Sequence, residues 1–317
     1  MPNWLIKSAI HRAISWLPRS QLWNELMQTH VTHSLGMTPE RLEAKMVECR
    51  KFFDSFRARG RDAADFVALE LGTGWYPTIP IGLYLCGATE IHTIDIDPLL
   101  RPARIKHLLE LIEESAGSGI LATWLPACRP ERVEKLVSLL TFVDLESPAM
   151  LLERIGINVI VKDAQAIPLP DHSVDLIFTS GVLEYIPSAV MENILMEFRR
   201  VARPDAMMAH RINLVDQYSY FDPSITAFNY LKYTARQWGY LNSPLIWQNR
   251  FRLSDYKRVI ANSGFRILEE ENIAGLEEDL ARVELSGEFK HYQRADLLIL
   301  HSYLAACPDH HREEQAN

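Results

Sequence analysis

Apolar positions recur every three to four residues at the start of the chain. Trp4, Ile6, Ile10, Ala13, Ile14 and Leu17 mark one helix, and a second is predicted from Pro39 to about Arg59. From about Asp65 the pattern changes to short apolar runs without helical period, DFVALEL, IHTIDI, INVIVKD and VDLIFTS. Helical stretches follow the first two, IPIGLYLCGA and LLRPARIKHLLELIEESAG, and an irregular or helical insert spans 118–152. A short polar crossover, AQAIPLPDHS, joins the third run to the fourth. Helix PSAVMENILMEFRRVA, strand AMMAHRINL, an aromatic segment over about 216–250, helix RLSDYKRVIANSG, strand FRILEEEN and a last strand near ADLLILHSYL complete the series. Seven strands in repeated βα units predict a doubly wound, mostly parallel α/β sheet. The division expected is a helical cap over 1–60, a core over 61–213 containing the insert, a lid inserted after strand five over 214–250, the core's last helix and two strands over 251–306, and a disordered tail over 307–317.

The stretch ELGTGWYP, residues 70 to 77, falls at the first strand-to-helix turn, where such sheets present backbone to ligands. Gly72 and Gly74 permit close approach there, and Pro77 suits the first turn of a helix whose unpaired N–H groups form a positive end. Neither GxGxxG nor GxxxxGK[ST] is present, so the dinucleotide and P-loop fingerprints fail. Glu70 at the strand tip disfavours a pyrophosphate and favours an ammonium group. Asp95 ends the next strand at the distance where an acid accepts hydrogen bonds from ribose hydroxyls, with Asp97 as its competitor. Asp163 with Ala164, and Ser180 with Gly181 and Val182, leave strands three and four at the same carboxyl edge.

Composition narrows the class of ligand. A formal net charge of -8 speaks against a nucleic-acid surface and for a small molecule. The four cysteines, Cys49, Cys86, Cys128 and Cys307, form no CxxC pair, which argues for reduced thiols, and no metal is assigned. The apolar stretches are too short to cross a bilayer and the N-terminus lacks a signal-peptide h-region, so a cytoplasmic protein without stable membrane insertion is expected. Lys7, Arg12 and Arg19 on the first helix leave an amphipathic membrane-surface helix as the alternative to a lid or homodimer helix.

In that order, ELGTG, TIDID and KDAQAIPLPDHSVDLIFTSGVLEYIP resemble the class I S-adenosylmethionine-dependent methyltransferase family, and EFRRVARPDAMMAHRINL is similar to its following helix and fifth strand. The resemblance covers roughly residues 62–213 and the last two strands, and implies a Rossmann-like fold with S-adenosylmethionine as cofactor. Position by position it implies Glu70, Gly72, Thr73 and Gly74 around the methionine arm, Asp95 and Ile96 at the ribose, Asp163 and Ala164 beside the adenine, and Ser180 and Gly181 at the fourth strand tip. Tyr76 stands where the family often has a third glycine, and Pro204, Asp205 and Ala206 replace its usual Pro-Gly-Gly turn. Those departures warn that reaction type need not follow fold.

For an oxygen or nitrogen acceptor, Glu184 and His210 are the titratable candidates for general base. Tyr185, which follows Glu184 after strand four, either faces the substrate or packs beneath the cap. Tyr218 and Tyr220 are the rings of the aromatic segment expected to face the sulfonium, a contact worth about 0.5 to 2 kcal/mol. Asn213, Asn229, Gln248 and Arg250 are further candidates for acceptor contacts. The activity expected is methyl transfer to a small molecule. The alternatives are a lyase or cyclase that consumes the cofactor's amino-acid arm and releases methylthioadenosine, and a protein that binds the cofactor without turnover.

Overall fold

A computed structural model of the 317-residue chain describes residues 3–15, 36–60, 65–243, 245 and 247–309. Leu17, Arg19 and the tail HHREEQAN lie outside the described residues. The strands are β1 (Val67–Leu71), β2 (Glu90–Asp95), β3 (Ile157–Val161), β4 (Val174–Ser180), β5 (Ala202–Asn213), β6 (Phe265–Ala274) and β7 (Ile299–Pro308). They form one seven-stranded sheet in the order β3-β2-β1-β4-β5-β7-β6. The first five pair in parallel, whereas β7 runs antiparallel between β5 and β6. The chain reverses sides of the sheet beside β1, and that reversal opens a crevice at the carboxyl ends of β1 and β4.

Helices α1 (Trp4–Ser15), α2 (Pro39–Arg57), α3 (Thr78–Cys86) and α4 (Pro102–Gly117) are followed by the short α5 (Ile120–Trp124), α6 (Pro130–Ser138) and α7 (Pro148–Glu153). Helices α2 to α7 cover one face of the sheet. Leu42, Met46 and Phe52 of α2 share one core with Leu108 and Ile112 of α4 and with Phe178, Met207 and Tyr303 of the sheet. Leu121, Trp124, Leu136 and Leu152 belong to the same core, so the 118–152 insert is a covering layer of the fold. Helices α8 (Ser188–Val201) and α10 (Leu253–Asn262) cover the other face, where Phe198, Tyr256 and Ile260 pack on Ile177, Met208 and Leu304.

A third core belongs to the segment after β5. Tyr218, Phe228, Tyr230 and Trp238 of this segment, the last on α9 (Ala235–Leu241), gather around Trp4, with Leu280 of α11 (Glu277–Ala281) and Leu297 of α12 (Arg294–Leu298). The N-terminal cap is therefore divided. α2 belongs to the sheet, while α1 belongs to the lid, with the Trp4 amide donating to Asp222 at 3.0 Å and Arg12 donating to the carbonyls of Gly239 and Asn242. Lys7 lies over the Phe221 ring on the same side, and Leu5, Ile6 and Ile10 face outward.

The end of the chain departs from the expected pattern in two ways. Residues 295–298, the ADLL of ADLLILHSYL, belong to α12, and the strand starts at Ile299 and runs through Pro308, past the start of the expected tail. The cause is Arg252, fully buried on the lid side of α10: its guanidinium donates to the carbonyls of Asp296 and Leu297 at 3.2 and 3.0 Å and also bonds that of Ile299. These bonds fix the residues before β7 in a helical turn. No helix among the described residues is long and apolar enough to cross a membrane.

Candidate active site

The parallel ladder brings four strand ends to one level. The Gly72 amide continues the β1–β2 pairing onto Ile94 at 2.8 Å, Lys162 does the same from β3 onto Asp95 at 2.9 Å, and Gly181 from β4 onto Arg211 at 2.9 Å. Gly72, Gly74 and Gly181 then turn the chain with φ of 84, 62 and 67°, the left-handed region that glycine enters without strain. At Gly72 there is also no room for a side chain, since a Cβ would lie 2.4 Å from Cγ2 of Val182. The turns after β1 and β4 therefore fit against each other through a missing methyl group.

Between these turns lies a cavity of about 850 Å³. Glu70, Gly72, Thr73, Gly74, Asp95, Ile96, Asp163, Ala164, Ser180 and Gly181 all line it, so every residue expected from the sequence to hold a cofactor meets at one opening. The volume lies within the range of small-molecule and cofactor sites. The Gly74 amide donates to one carboxylate oxygen of Asp95 at 2.9 Å, and the Asp97 amide to the other at 3.2 Å. Burial raises the Asp95 pKa against these amide bonds. Asp163 is held by an Asx turn, accepting from the Gln165 amide at 2.9 Å and its side-chain nitrogen at 3.0 Å.

Glu70 is buried, and burial pushes its pKa up to about 8 despite a bond from the Thr93 hydroxyl at 2.8 Å and the nearby Lys45 charge. Thr93 shares a further hydroxyl contact with Thr73 of the glycine turn. Below pH 8 Glu70 is thus a largely protonated donor and acceptor rather than a fixed anion.

None of the four expected catalytic side chains lines the cavity. His210 is in the middle of β5, fully buried, with Nδ1 on the Thr179 hydroxyl at 2.8 Å and its ring stacked on Phe198. Burial lowers its pKa to about 3, which keeps it neutral. Tyr218 points into the lid core, against Trp4 and Trp238, and its hydroxyl donates to the Leu241 carbonyl at 3.0 Å. Tyr220 is 61 % exposed outside the cavity, its hydroxyl accepting from Asn213 at 3.3 Å. Glu184 is buried behind the cavity wall, with Oε1 at 3.5 Å from where a Gly181 Cβ would stand and Oε2 lacking a hydrogen-bond partner. Burial raises its pKa to about 8, against the amides of Glu184 and Asn213 and the charge of Lys45.

Asn229, Gln248 and Arg250 are likewise spent inside the lid, on Asp216, the Val215 carbonyl and Glu288. The cavity is lined in addition by Tyr185, Val190, Leu245, Trp247 and Lys45. Tyr185 borders the opening rather than packing beneath the cap. Lys45 comes from α2, and its Nζ donates to Ser180 Oγ at 2.5 Å and pairs with Glu48 at 3.1 Å. The sequence held a signal for it: Lys45 falls on the face of α2 that carries Leu42, Met46 and Cys49, where a cation needs a partner.

Sheet order, glycine turn and acid-tipped strands make a Rossmann-like, doubly wound fold with its cavity at the carboxyl edge of the sheet. A family model described as a methyltransferase domain matches residues 115–209, less than half of the chain, and the glycine turn and Asp95 precede the matched segment. No curated protein matched the sequence. Among solved structures the chain is similar to an S-adenosylmethionine-dependent methyltransferase from Mesorhizobium loti at 13% identity, covering 80% of this chain and 96% of that one, with a TM-score of 0.41. It is also similar to geranyl diphosphate C-methyltransferase from Streptomyces coelicolor A3(2) at 9% identity, covering 81% and 76%, with a TM-score of 0.44. A third is the [4+2]-cyclase SpnF, at 13% identity, covering 82% and 81%, with a TM-score of 0.44.

Proposed function

We propose that the chain transfers the sulfonium methyl of S-adenosylmethionine to an oxygen or nitrogen atom of a small-molecule acceptor. The observation that carries this reading is the meeting of ten residues, from four separate strand ends, around one cavity. In this reading Glu70, Thr73 and the two turn glycines flank the methionine arm, Asp95 and Ile96 the ribose, Asp163 and Ala164 the adenine, and Ser180 and Gly181 the floor. When bound, the cofactor supplies an electrophilic methyl group.

The chain's own contribution is positioning and the exclusion of water. Tyr185, Leu245 and Trp247 give the acceptor side apolar walls, and α1 with the 214–250 lid backs them from above. With His210 and Glu184 outside the cavity, alignment of the acceptor rather than a dedicated side-chain base is the main source of rate. A homodimer through the outward Leu5, Ile6 and Ile10 of α1 belongs to the same reading and is checked by sedimentation.

The test is to incubate the purified protein with S-adenosylmethionine alone and with a small-molecule extract, and to identify the nucleoside products by mass spectrometry. S-adenosylhomocysteine formed only with extract is the expected result. Methylthioadenosine formed from the cofactor alone overturns methyl transfer in favour of a lyase or cyclase, and unchanged cofactor in both overturns turnover.

A further inference from the structure

Helix α1 carries its polarity the wrong way round for a helix that faces water. Ser8 and His11 are buried with Trp4 against the lid, whereas Leu5, Ile6, Ala9, Ile10 and Ala13 are exposed, Ile6 to 61 %. At 3.6 residues per turn these five positions form one continuous strip, with Lys7 and Arg12 at its flanks. The inward face is held by the Ser8 hydroxyl, which donates to the Leu241 carbonyl at the end of α9. Tyr240 of α9 is exposed as well. The charge around the strip is positive, although the chain as a whole carries a net charge of -8. Neither α1 nor α9 contains an acidic residue. Arg12 donates to the carbonyls of Gly239 and Asn242 at 2.8 and 3.2 Å, neutral groups that leave its charge in place. Arg236, one helical turn before Tyr240, is exposed. The acids bonded to the two helices are spent elsewhere: Asp222 is buried on the Trp4 amide, and Glu288 takes the Ala235 amide and pairs with Arg250 at 2.6 Å. Lys7 is turned back over the Phe221 ring and is not counted among the outward cations.

We propose that the outer face of α1, with α9 beside it, docks on an anionic lipid bilayer, Leu5, Ile6 and Ile10 entering the headgroup boundary while Arg12 and Arg236 meet lipid phosphates. At 12 residues α1 is too short to span a hydrocarbon core of roughly 30 Å, and a helix with an apolar strip and basic flanks lies in the plane of the interface. A homodimer uses the same apolar residues, so a bilayer and a second copy compete for one face. A twofold contact brings the cations of both copies together, whereas anionic lipid opposes them with the other sign. Charge therefore favours the bilayer. α9 leads within a few residues to Leu245 and Trp247 of the cavity wall, so the docked face and the cavity belong to one lid. The proposal does not depend on the chemistry assigned to that cavity.

The experiment is flotation of the full chain with vesicles of phosphatidylcholine alone and of phosphatidylcholine mixed with phosphatidylglycerol. The expected result is at least tenfold more protein on the anionic vesicles, a loss of at least tenfold in Ile6→Glu, and a loss of at least threefold in Arg236→Glu. Both side chains are exposed, so thermal unfolding and affinity for S-adenosylhomocysteine are expected to match wild type in both variants. Should Ile6→Glu fail to fold, the comparison of the two vesicles and the Arg236→Glu variant still decide. Flotation with neither vesicle, equal flotation with both, or flotation that survives the substitutions overturns the proposal. So does a lipid-free dimer that Ile6→Glu breaks when wild type does not float, because the face then belongs to a second copy. Failure of the chain to bind S-adenosylhomocysteine bears on the cavity alone and leaves the flotation result standing.

Discussion

The backbone amide of Gly74 donates to the carboxylate of Asp95 at 2.9 Å, so the turn that follows β1 is fastened to the tip of β2 by an acid that lines the cavity. Replacing Asp95 by Ala removes both a ligand-facing acceptor and the fastening of the turn. Affinity for S-adenosylhomocysteine is expected to fall more than tenfold, about 1.4 kcal/mol, in calorimetry. Asp95→Asn, which keeps one acceptor oxygen, is expected to lose less.

Gly72→Ala combines two faults: a positive φ of 84° and a Cβ placed 2.4 Å from Val182. The backbone fault costs about 1 kcal/mol or more and overpacking about 1–3 kcal/mol. Adding Val182→Ala relieves the contact and leaves φ unchanged. The double variant is therefore expected to recover part of the lost stability in denaturant unfolding, and full recovery would show that φ contributes nothing.

Glu184 has a pKa raised to about 8 in the folded protein, above its unfolded value, so the folded state holds the proton more tightly. Its effect on stability is favourable to the protonated form: nothing is lost below the unfolded pKa, and stability falls as pH rises from about 4.5 to about 8. The difference in unfolding free energy between wild type and Glu184→Gln is expected to move against wild type across that window, by on the order of a few kcal/mol. Chemical unfolding at pH 5, 6.5 and 8 measures it, and a difference independent of pH contradicts the assignment.

The Arg252 guanidinium serves Tyr230 and the carbonyls of Asp296, Leu297, Ile299 and, at 3.4 Å, Leu214. Arg252→Met leaves several buried carbonyls without donors and is expected to destabilise the protein by about 3 kcal/mol or more in denaturant titration. Arg252→Lys restores charge without the fork and is expected to recover less than half of that loss.

Tyr218→Phe removes one hydroxyl bond inside the lid and no cavity contact. Stability is expected to drop by about 1 kcal/mol, with affinity for S-adenosylhomocysteine unchanged within twofold. A selective loss of affinity would return Tyr218 to the site.

The glycine turn, the strands and their acid tips were legible because each carries a local physical mark: period two or none, a φ that glycine alone enters readily, or a charge placed where apolar residues end. The side chains expected to serve an acceptor carry no such mark. A strand residue projects to one face or the other of its sheet, and His210, three residues before the end of β5, goes to the α8 face rather than to the edge. Tyr218 and Tyr220, on one 3₁₀ turn, take opposite fates, one buried among rings and one in solvent. Lys45 reaches the site from before the first strand, through packing of α2 that only the tertiary structure supplies. α12 was hidden for a similar reason, because the apolar run 297–300 continues without a break from the helical turn into β7, and Arg252 bonds the carbonyls where that turn stops.

The position of β7 bears on how the protein comes off the ribosome. β5 and β6 are both made before it, yet neither pairs with the other, and each waits for residues 299–308 to form its outer ladder. Until then β5 presents the edge of its Met208–Asn213 segment to whatever else is in solution, and the fastening of the lid by Arg252 has no carbonyls before β7 to close on. The crevice half of the sheet, β3-β2-β1-β4, can assemble while synthesis continues, but the opposite half is completed in one late step. A nascent chain stopped before Ile299 therefore carries a ligand-facing half of a sheet with an adhesive flank, a form that invites chaperone capture or aggregation.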